Sequence, residues 1–294
     1  MRTARNDERI PGAFTEGRIQ EFHYRFPWRS QALHPGYHKS TQSGSGQDFR
    51  AYEPWFKRPD ARRIDLRLSL RDPFEIPYVR VFNQRSKVPV YTVADLSGSM
   101  GSQGKLQLLA EFTAAVALSA YRTGDPFGFI GCNTTVRRDL LVPAVHRAGT
   151  ALDLFERLIR LKAEATSAEG LREASRYLSA RRSLVFLVSD FYLPRGLIEE
   201  VLASFSHHAV VPIVVWESEE YRRLPPFGLA QARDRENGST QLLLFRRQLR
   251  ERFQATFSER RRALNRLFTA NRSAPFFLID RFEANELTEY FLKW

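Results

Sequence analysis

The chain has 294 residues, 43% hydrophobic and 27% charged, which excludes wholesale disorder and a fibrous repeat and leaves ample length for a core. Lys and Arg number 45 against 33 Asp and Glu, a formal charge of +12; this asks for an acidic partner (nucleic acid, an anionic membrane surface or an acidic protein) unless Arg merely replaces Lys over a solvated surface. The single cysteine, Cys132, excludes an intrachain disulfide framework and a Cys-based zinc site.

The first ten residues hold no apolar leader, and the longest apolar runs, 184–188 and 209–216, fall far short of the ~20 residues a membrane span needs. The expectation is a soluble, cytoplasmic protein. Residues 1–75 show poor periodicity, with Pro27, Pro35, Pro54 and Pro59 and a small-residue stretch at 40–46. They are nevertheless rich in aromatics, including Phe22, Tyr24, Trp28, Phe49, Tyr52 and Trp55, which a flexible linker would not carry. This segment reads as a loop-rich N-terminal arm packed on a main domain of residues 76–294.

From residue 76 strands and helices alternate. Residues 78–82 and 88–94 are strand-like, with a polar turn at 83–87. Residues 105–122 place Leu106, Leu109, Phe112, Val116 and Ala120 at helical spacing. A strand follows at 127–132, then helices at 151–161 and 169–178. Residues 184–188 form a β-branched and aliphatic run typical of a strand buried on both faces. A helix at 196–205, a second buried strand at 209–216, a surface excursion at 217–240, a long helix at 241–270, a strand at 275–279 and a helix at 285–292 complete the chain. The long helix carries eight Arg between 246 and 266 against Glu251 and Glu259, half the net charge of the molecule. The succession implies an α/β fold, a doubly wound and mostly parallel sheet, whose ligands bind beyond the carboxyl ends of the strands.

Two strands end in polar residues suited to chemistry. After 88–94 comes Asp95-Leu96-Ser97-Gly98-Ser99-Met100, and after 184–188 comes Ser189-Asp190-Phe191. Two carboxylates with three hydroxyls, and no His or Cys nearby in sequence, suit a hard cation such as Mg²⁺, which prefers oxygen ligands and needs only one or two carboxylates. Helix capping by Asp95 or Ser97 is the plainer alternative. The run Gly98–Lys105 fails as a phosphate loop, since Ser99 and Leu106 break the pattern, and Leu96 breaks a nucleophile elbow. His207-His208 lacks a third metal ligand in view.

Asp95-Leu96-Ser97-Gly98-Ser99 resembles the D-x-S-x-S signature of von Willebrand factor A-like domains, where it forms a metal-ion-dependent adhesion site. That pattern adds a Thr on a second loop and an Asp after a later strand. Asp190 matches the Asp; Thr166 is chosen for the Thr over Thr150, although Ser167 follows where similar families often have Asp. Upstream, Gly44-Ser45-Gly46-Gln47-Asp48-Phe49, Pro59-Asp60-Ala61-Arg62-Arg63-Ile64-Asp65-Leu66 and Arg71 resemble the family catalogued as domain of unknown function fifty-eight, with Pro59 for Gly, Leu66 for Trp and Leu70 for Ala as departures. Its members accompany MoxR-type AAA+ ATPases, and many carry two N-terminal membrane helices that this sequence lacks. A member of this size is similar to one encoded in methanol dehydrogenase gene clusters.

The resemblance implies that Ser97 and Ser99 ligate a Mg²⁺ or Mn²⁺ ion through their hydroxyls. Thr166 ligates directly or through water, and Asp95 and Asp190 hold ordered waters. A partner's acidic side chain takes the last position. The implied role is non-enzymatic, metal-mediated protein binding, with a MoxR-type ATPase, in assembly or maturation of a complex such as methanol dehydrogenase. The competing expectation is a nucleic-acid-binding module using the Arg-rich stretch 246–266, with salt-sensitive affinity. A metal-dependent hydrolase ranks last, because no general base is in view beyond the two aspartates.

Overall fold

The computed structural model describes residues 19–26, 35–44, 48–57, 59–74, 76–161, 167–218, 228–233, 240–245 and 247–294. The expected irregular arm contains two strands, β1 (Pro35–Gly44) and β2 (Asp48–Pro54), and a one-turn helix α1 (Leu66–Ser69). Strand β3 (Tyr78–Ser86) lies between β1 and β2 in a small antiparallel sheet, and it takes in residues 83–86 of the turn expected at 83–87. This sheet therefore crosses the boundary drawn at residue 75. Asp65 ties the unit together: it is 5% exposed, caps α1 through the Leu68 amide, and accepts two bonds from the Arg80 guanidinium at 2.7 and 2.6 Å. Those bonds hold its carboxyl below the usual carboxylate range. Of the arm's arginines, Arg63 pairs locally with Asp60. Leu66 and Leu70, two departures from the resembled pattern, stand exposed.

The main sheet contains β4 (Val90–Asp95), β5 (Phe127–Cys132), β6 (Val136–Val145), β7 (Leu184–Ser189), β8 (Ala209–Trp216) and β11 (Phe276–Ile279), in the spatial order β6-β5-β4-β7-β8-β11. Every pairing is parallel except that of β5 with β6. Strands β4, β5, β7 and β8 are buried along their whole length, as their predominantly apolar composition requires. Side chains alternate between two cores. Val90 and Ala94, Leu184 and Phe186, and Val211 and Ile213 face one layer. Val93, Leu187, Val214 and Trp216 face the other.

The first layer is α2 (Gln103–Arg122), α3 (Thr150–Ile159) and the terminal helix α6 (Ala284–Lys293). Residues 19–26 thread into it: Phe22 stacks on Phe291 and meets Phe186 edge-on, its amide bonds Ser119 Oγ at 3.0 Å, and the Tyr24 hydroxyl bonds Asp125 at 2.7 Å. The second layer is α4 (Arg195–Ser204), the helix α5 (Arg247–Ala270) and two 3-10 turns, Glu169–Arg172 and Ala174–Tyr177.

Three expectations are corrected here. Residues 169–178 are not a regular helix. Their buried residues Ala168, Leu171 and Ala174 recur at three, the 3-10 period, and the Gly170 amide is held by the Asn133 carbonyl at 2.8 Å, so close to the chain that a Cβ there would lie 2.5 Å from Thr135 carbonyl carbon. The long helix begins at Arg247 rather than 241, because Thr240–Phe245 (β10) pairs antiparallel with Gly228–Arg233 (β9), which lies inside the expected excursion. Strand β6 was not expected; its charged residues and Pro143 belong to an edge. Among the described residues no helix is long and apolar enough to cross a membrane.

Candidate metal centre

Strand β4 leads through α2 to β5 on one side, whereas β7 leads through α4 to β8 on the other. The chain thus reverses direction between β4 and β7, and in sheets of this kind the ligand crevice lies beyond the carboxyl ends at that point. Asp95 ends β4, and Ser189 ends β7 with Asp190 next. The structure brings Asp95, Ser97, Ser99 and Asp190 together at this point.

Asp95, Ser97 and Asp190 are at most 1% exposed, while Ser99 is half-buried. Asp95 Oδ1 accepts the Ser97 amide at 2.9 Å, and its Oδ2 accepts the Ser189 hydroxyl at 2.6 Å. The hydroxyls of Ser97 and Ser99 lie 3.2 Å apart. Asp190 Oδ1 accepts the Tyr192 amide at 3.1 Å, and its Oδ2 lies 2.9 Å from Lys105 Nζ. Capping does not explain the cluster, because Ser102 caps α2, accepting the Lys105 amide at 3.2 Å. Burial pushes the Asp95 carboxyl up to about 6, Asp190 adding to the rise and the bonds from Ser189 and Ser97 opposing it.

The loop after β7 is held from behind. The Trp216 indole N–H donates to the Asp190 carbonyl at 2.9 Å. Arg260, on α5, donates to the carbonyl oxygens of Phe191 and Leu193. Phe191 adopts φ 54°, a left-handed backbone rare for an aromatic residue, with its ring buried against Phe268. Arg261 lies over the Phe277 ring at 4.8 Å. The Arg-rich helix therefore turns part-buried Arg260 onto the loop after β7, while Arg261, exposed, packs over a ring of the main sheet.

Several contributors were not evident from the sequence. Lys105 is one; its position four residues before Leu109 and seven before Phe112 places it on the buried stripe of α2, a signal that a charge is being buried with a partner. Cys132 is another, opposite Asp95 in the β4–β5 register, with burial first and Asp95 second pushing its thiol up so that it stays protonated. Glu217, just past β8, lies against the first turn of α2: a Cβ on Gly104 would sit 1.8 Å from Glu217 Oε1. Tyr192, exposed, stacks on Trp216, and its ring faces the Lys105 ammonium.

Thr166 lies outside the described residues. Its neighbour Ser167 has its hydroxyl 3.5 Å from Thr134 Oγ1, in the loop leaving the carboxyl end of β5. Thr150, the alternative, opens α3 and donates to the Arg147 carbonyl. His207 and His208 pack as an edge-on ring pair at 5.4 Å, away from these residues at the entry to β8. No three His, Cys, Asp or Glu side chains among the described residues gather as a metal site. The donor set at the crevice is of another kind, two carboxylates with serine hydroxyls, and its all-oxygen chemistry fits a hard divalent cation.

A family model described as "Protein of unknown function DUF58" matches residues 48–263. A search of curated proteins found no match. Among solved structures the chain is similar to the conserved hypothetical protein BatB from Bacteroides thetaiotaomicron, at 11% identity over 70% of this chain and 97% of that one, TM-score 0.44. It is also similar to a von Willebrand factor type A protein from Catenulispora acidiphila, at 13% over 72% and 43%, TM-score 0.36. A third is proximal thread matrix protein 1 of the mussel byssus with a zinc-occupied MIDAS motif, at 15% over 44% and 38%, TM-score 0.33.

Proposed function

The chain belongs to the DUF58 family of proteins of unknown function, and on that footing we propose that it is a non-enzymatic, metal-dependent protein-interaction module. A Mg²⁺ or Mn²⁺ ion is held beyond β4 and β7 by the Ser97 and Ser99 hydroxyls, with Thr166 as the third hydroxyl. Asp95 and Asp190 supply negative charge and hold waters from behind. When bound, the ion supplies a hard Lewis-acidic centre that an acidic side chain of a partner completes.

The observation that carries this reading is the convergence of Asp95, Ser97, Ser99 and Asp190 at the switch point, in a crevice where none of them is consumed in capping α2. The chain's own residues divide the work. Ser189 fixes the rotamer of Asp95, while Trp216 and Arg260 fix the backbone that carries Asp190. Among the described residues, the oxygens of Asp95 and Asp190 are engaged by donors, and burial keeps the Cys132 thiol protonated. The partner under this reading is a MoxR-type AAA+ ATPase acting on a client complex. The narrower resemblance, to MxaS, makes methanol dehydrogenase the first client to test.

Calorimetric titration of Mn²⁺ into the wild type and Asp95→Ala tests the metal. Binding by the wild type and its loss in the variant are expected, and equal affinities would refute the site. Capture of the ATPase with and without EDTA tests the partner, and capture insensitive to EDTA would count against a bridging ion.

A further inference from the structure

Resting on that metal-binding reading, we infer that Lys105 is a built-in cation of the site, one that neutralises Asp190 while no metal is bound and so makes metal occupancy conditional on an acidic ligand. Lys105 is 1% exposed, a burial that an ammonium does not undergo without compensation. Its Nζ lies 2.9 Å from Asp190 Oδ2 and 3.2 Å from the Ser99 carbonyl, and 5.5 Å from the Tyr192 ring centroid. It therefore touches one proposed water-holding carboxylate and the backbone of one proposed hydroxyl ligand. A metal entering between those groups meets a positive charge that is already seated.

Charge bookkeeping gives the consequence. Among the described charged groups that are at most 1% exposed here, Asp95, Asp190 and Lys105, the sum is one net negative charge; Glu217, by the first turn of α2, is part-exposed and its charge is screened by water. A divalent cation turns this into one net positive charge, and a carboxylate arriving from outside restores neutrality. Without the ammonium, the metal alone would neutralise the two aspartates, and the arriving carboxylate would add an uncompensated negative charge. Unbalanced charge is costly where water is excluded. The native site thus disfavours metal alone and favours metal with an acidic ligand, whereas a site without the ammonium does the reverse.

The test uses the full chain as wild type, Lys105→Met and Lys105→Gln, the last keeping a neutral donor for Asp190 should the Met variant fail to fold. Mn²⁺ affinity is measured by calorimetry in chloride and in acetate at matched ionic strength. In chloride both variants should bind Mn²⁺ on the order of tenfold tighter than the wild type. Acetate should tighten binding in the wild type and not in the variants. Binding by the variants alone would support Lys105 as a resident substitute for the ion, while refuting metal occupancy of the native protein. Unchanged or weaker Mn²⁺ affinity in folded variants, with wild-type binding intact, would overturn the role of Lys105 and leave the metal site standing. No binding by any of the three would overturn both.

Discussion

Ser189 donates its hydroxyl to Asp95 at 2.6 Å, across the seam between the parallel neighbours β4 and β7. The same oxygen accepts the Phe191 amide at 2.9 Å, so one serine fixes both the carboxylate ending the first strand and the turn leaving the second. Removing it strands a fully buried carboxylate oxygen and a buried amide together. Ser189→Ala should therefore cost about 1–3 kcal/mol, more than an exposed serine would. Urea denaturation checks this through a lowered midpoint at unchanged slope; an unmoved midpoint would show that the bond contributes nothing.

The parts of the fold legible in the sequence are those where burial leaves no choice of composition. Strands β7 and β8 read as unbroken apolar runs and β4 as a largely apolar strand because all three are covered on both faces, and the polar residues at the ends of β4 and β7 marked Asp95 and Asp190. The illegible parts depend on partners distant in the chain. Strands β1 and β2 are polar because their sheet is small, and β6 is charged because it lies at an edge. The apolar run at 242–245 satisfies a strand as well as a helix, and the hairpin partner decided between them. Lys105 could be recognised as a misfit on an apolar stripe, but its counter-ion is 85 positions away, and only the strand order brings the two together.

The contacts of Arg260 separate two roles for the basic helix α5. A solvated or nucleic-acid-facing arginine would leave the site untouched when removed. Arg260, by contrast, donates to the carbonyls of Phe191 and Leu193, on the turn that carries Asp190. Arg260→Met should speed amide hydrogen exchange at 190–193 by about tenfold, as expected for losing roughly 1–2 kcal/mol of local stability. Arg262→Ala should leave exchange there unchanged. Equal protection in the two variants would remove Arg260 from any part in shaping the crevice.

Thr92 offers a gain in stability. It sits in the middle of β4, fully buried, and its hydroxyl has no hydrogen-bond partner among the described residues. By alternation it points to the α2 face with Val90 and Ala94. Burying a hydroxyl without a partner is unfavourable, and valine has nearly the same shape. Thr92→Val is expected to stabilise the fold by about 1 kcal/mol, seen as a higher urea midpoint. A loss of stability would mean that the hydroxyl is satisfied in solution.

His208 supplies the pH dependence. It enters β8 from the end of the sheet opposite the metal centre, and its Nδ1 is buried without a hydrogen-bond partner among the described residues. Burial, then the neighbouring charges of His207 and Arg182, lower it from 6.5 to about 4. Above pH 6.5 the ring is neutral in both folded and unfolded chains, and its contribution to stability is complete. Between about 6.5 and about 4 the unfolded chain takes up a proton that the folded chain refuses, so stability falls with pH; below about 4 both states are protonated and the loss stops. Because the ring is only part-buried, solvent screening reduces the expected loss to about 1–2 kcal/mol. Other groups titrate in the same window, so the informative quantity is the difference between wild type and His208→Gln, from urea denaturation at pH 7, 5.5 and 4. The wild type should lose stability relative to the variant across that series, and a constant difference would show that His208 is protonated as readily in the fold as out of it.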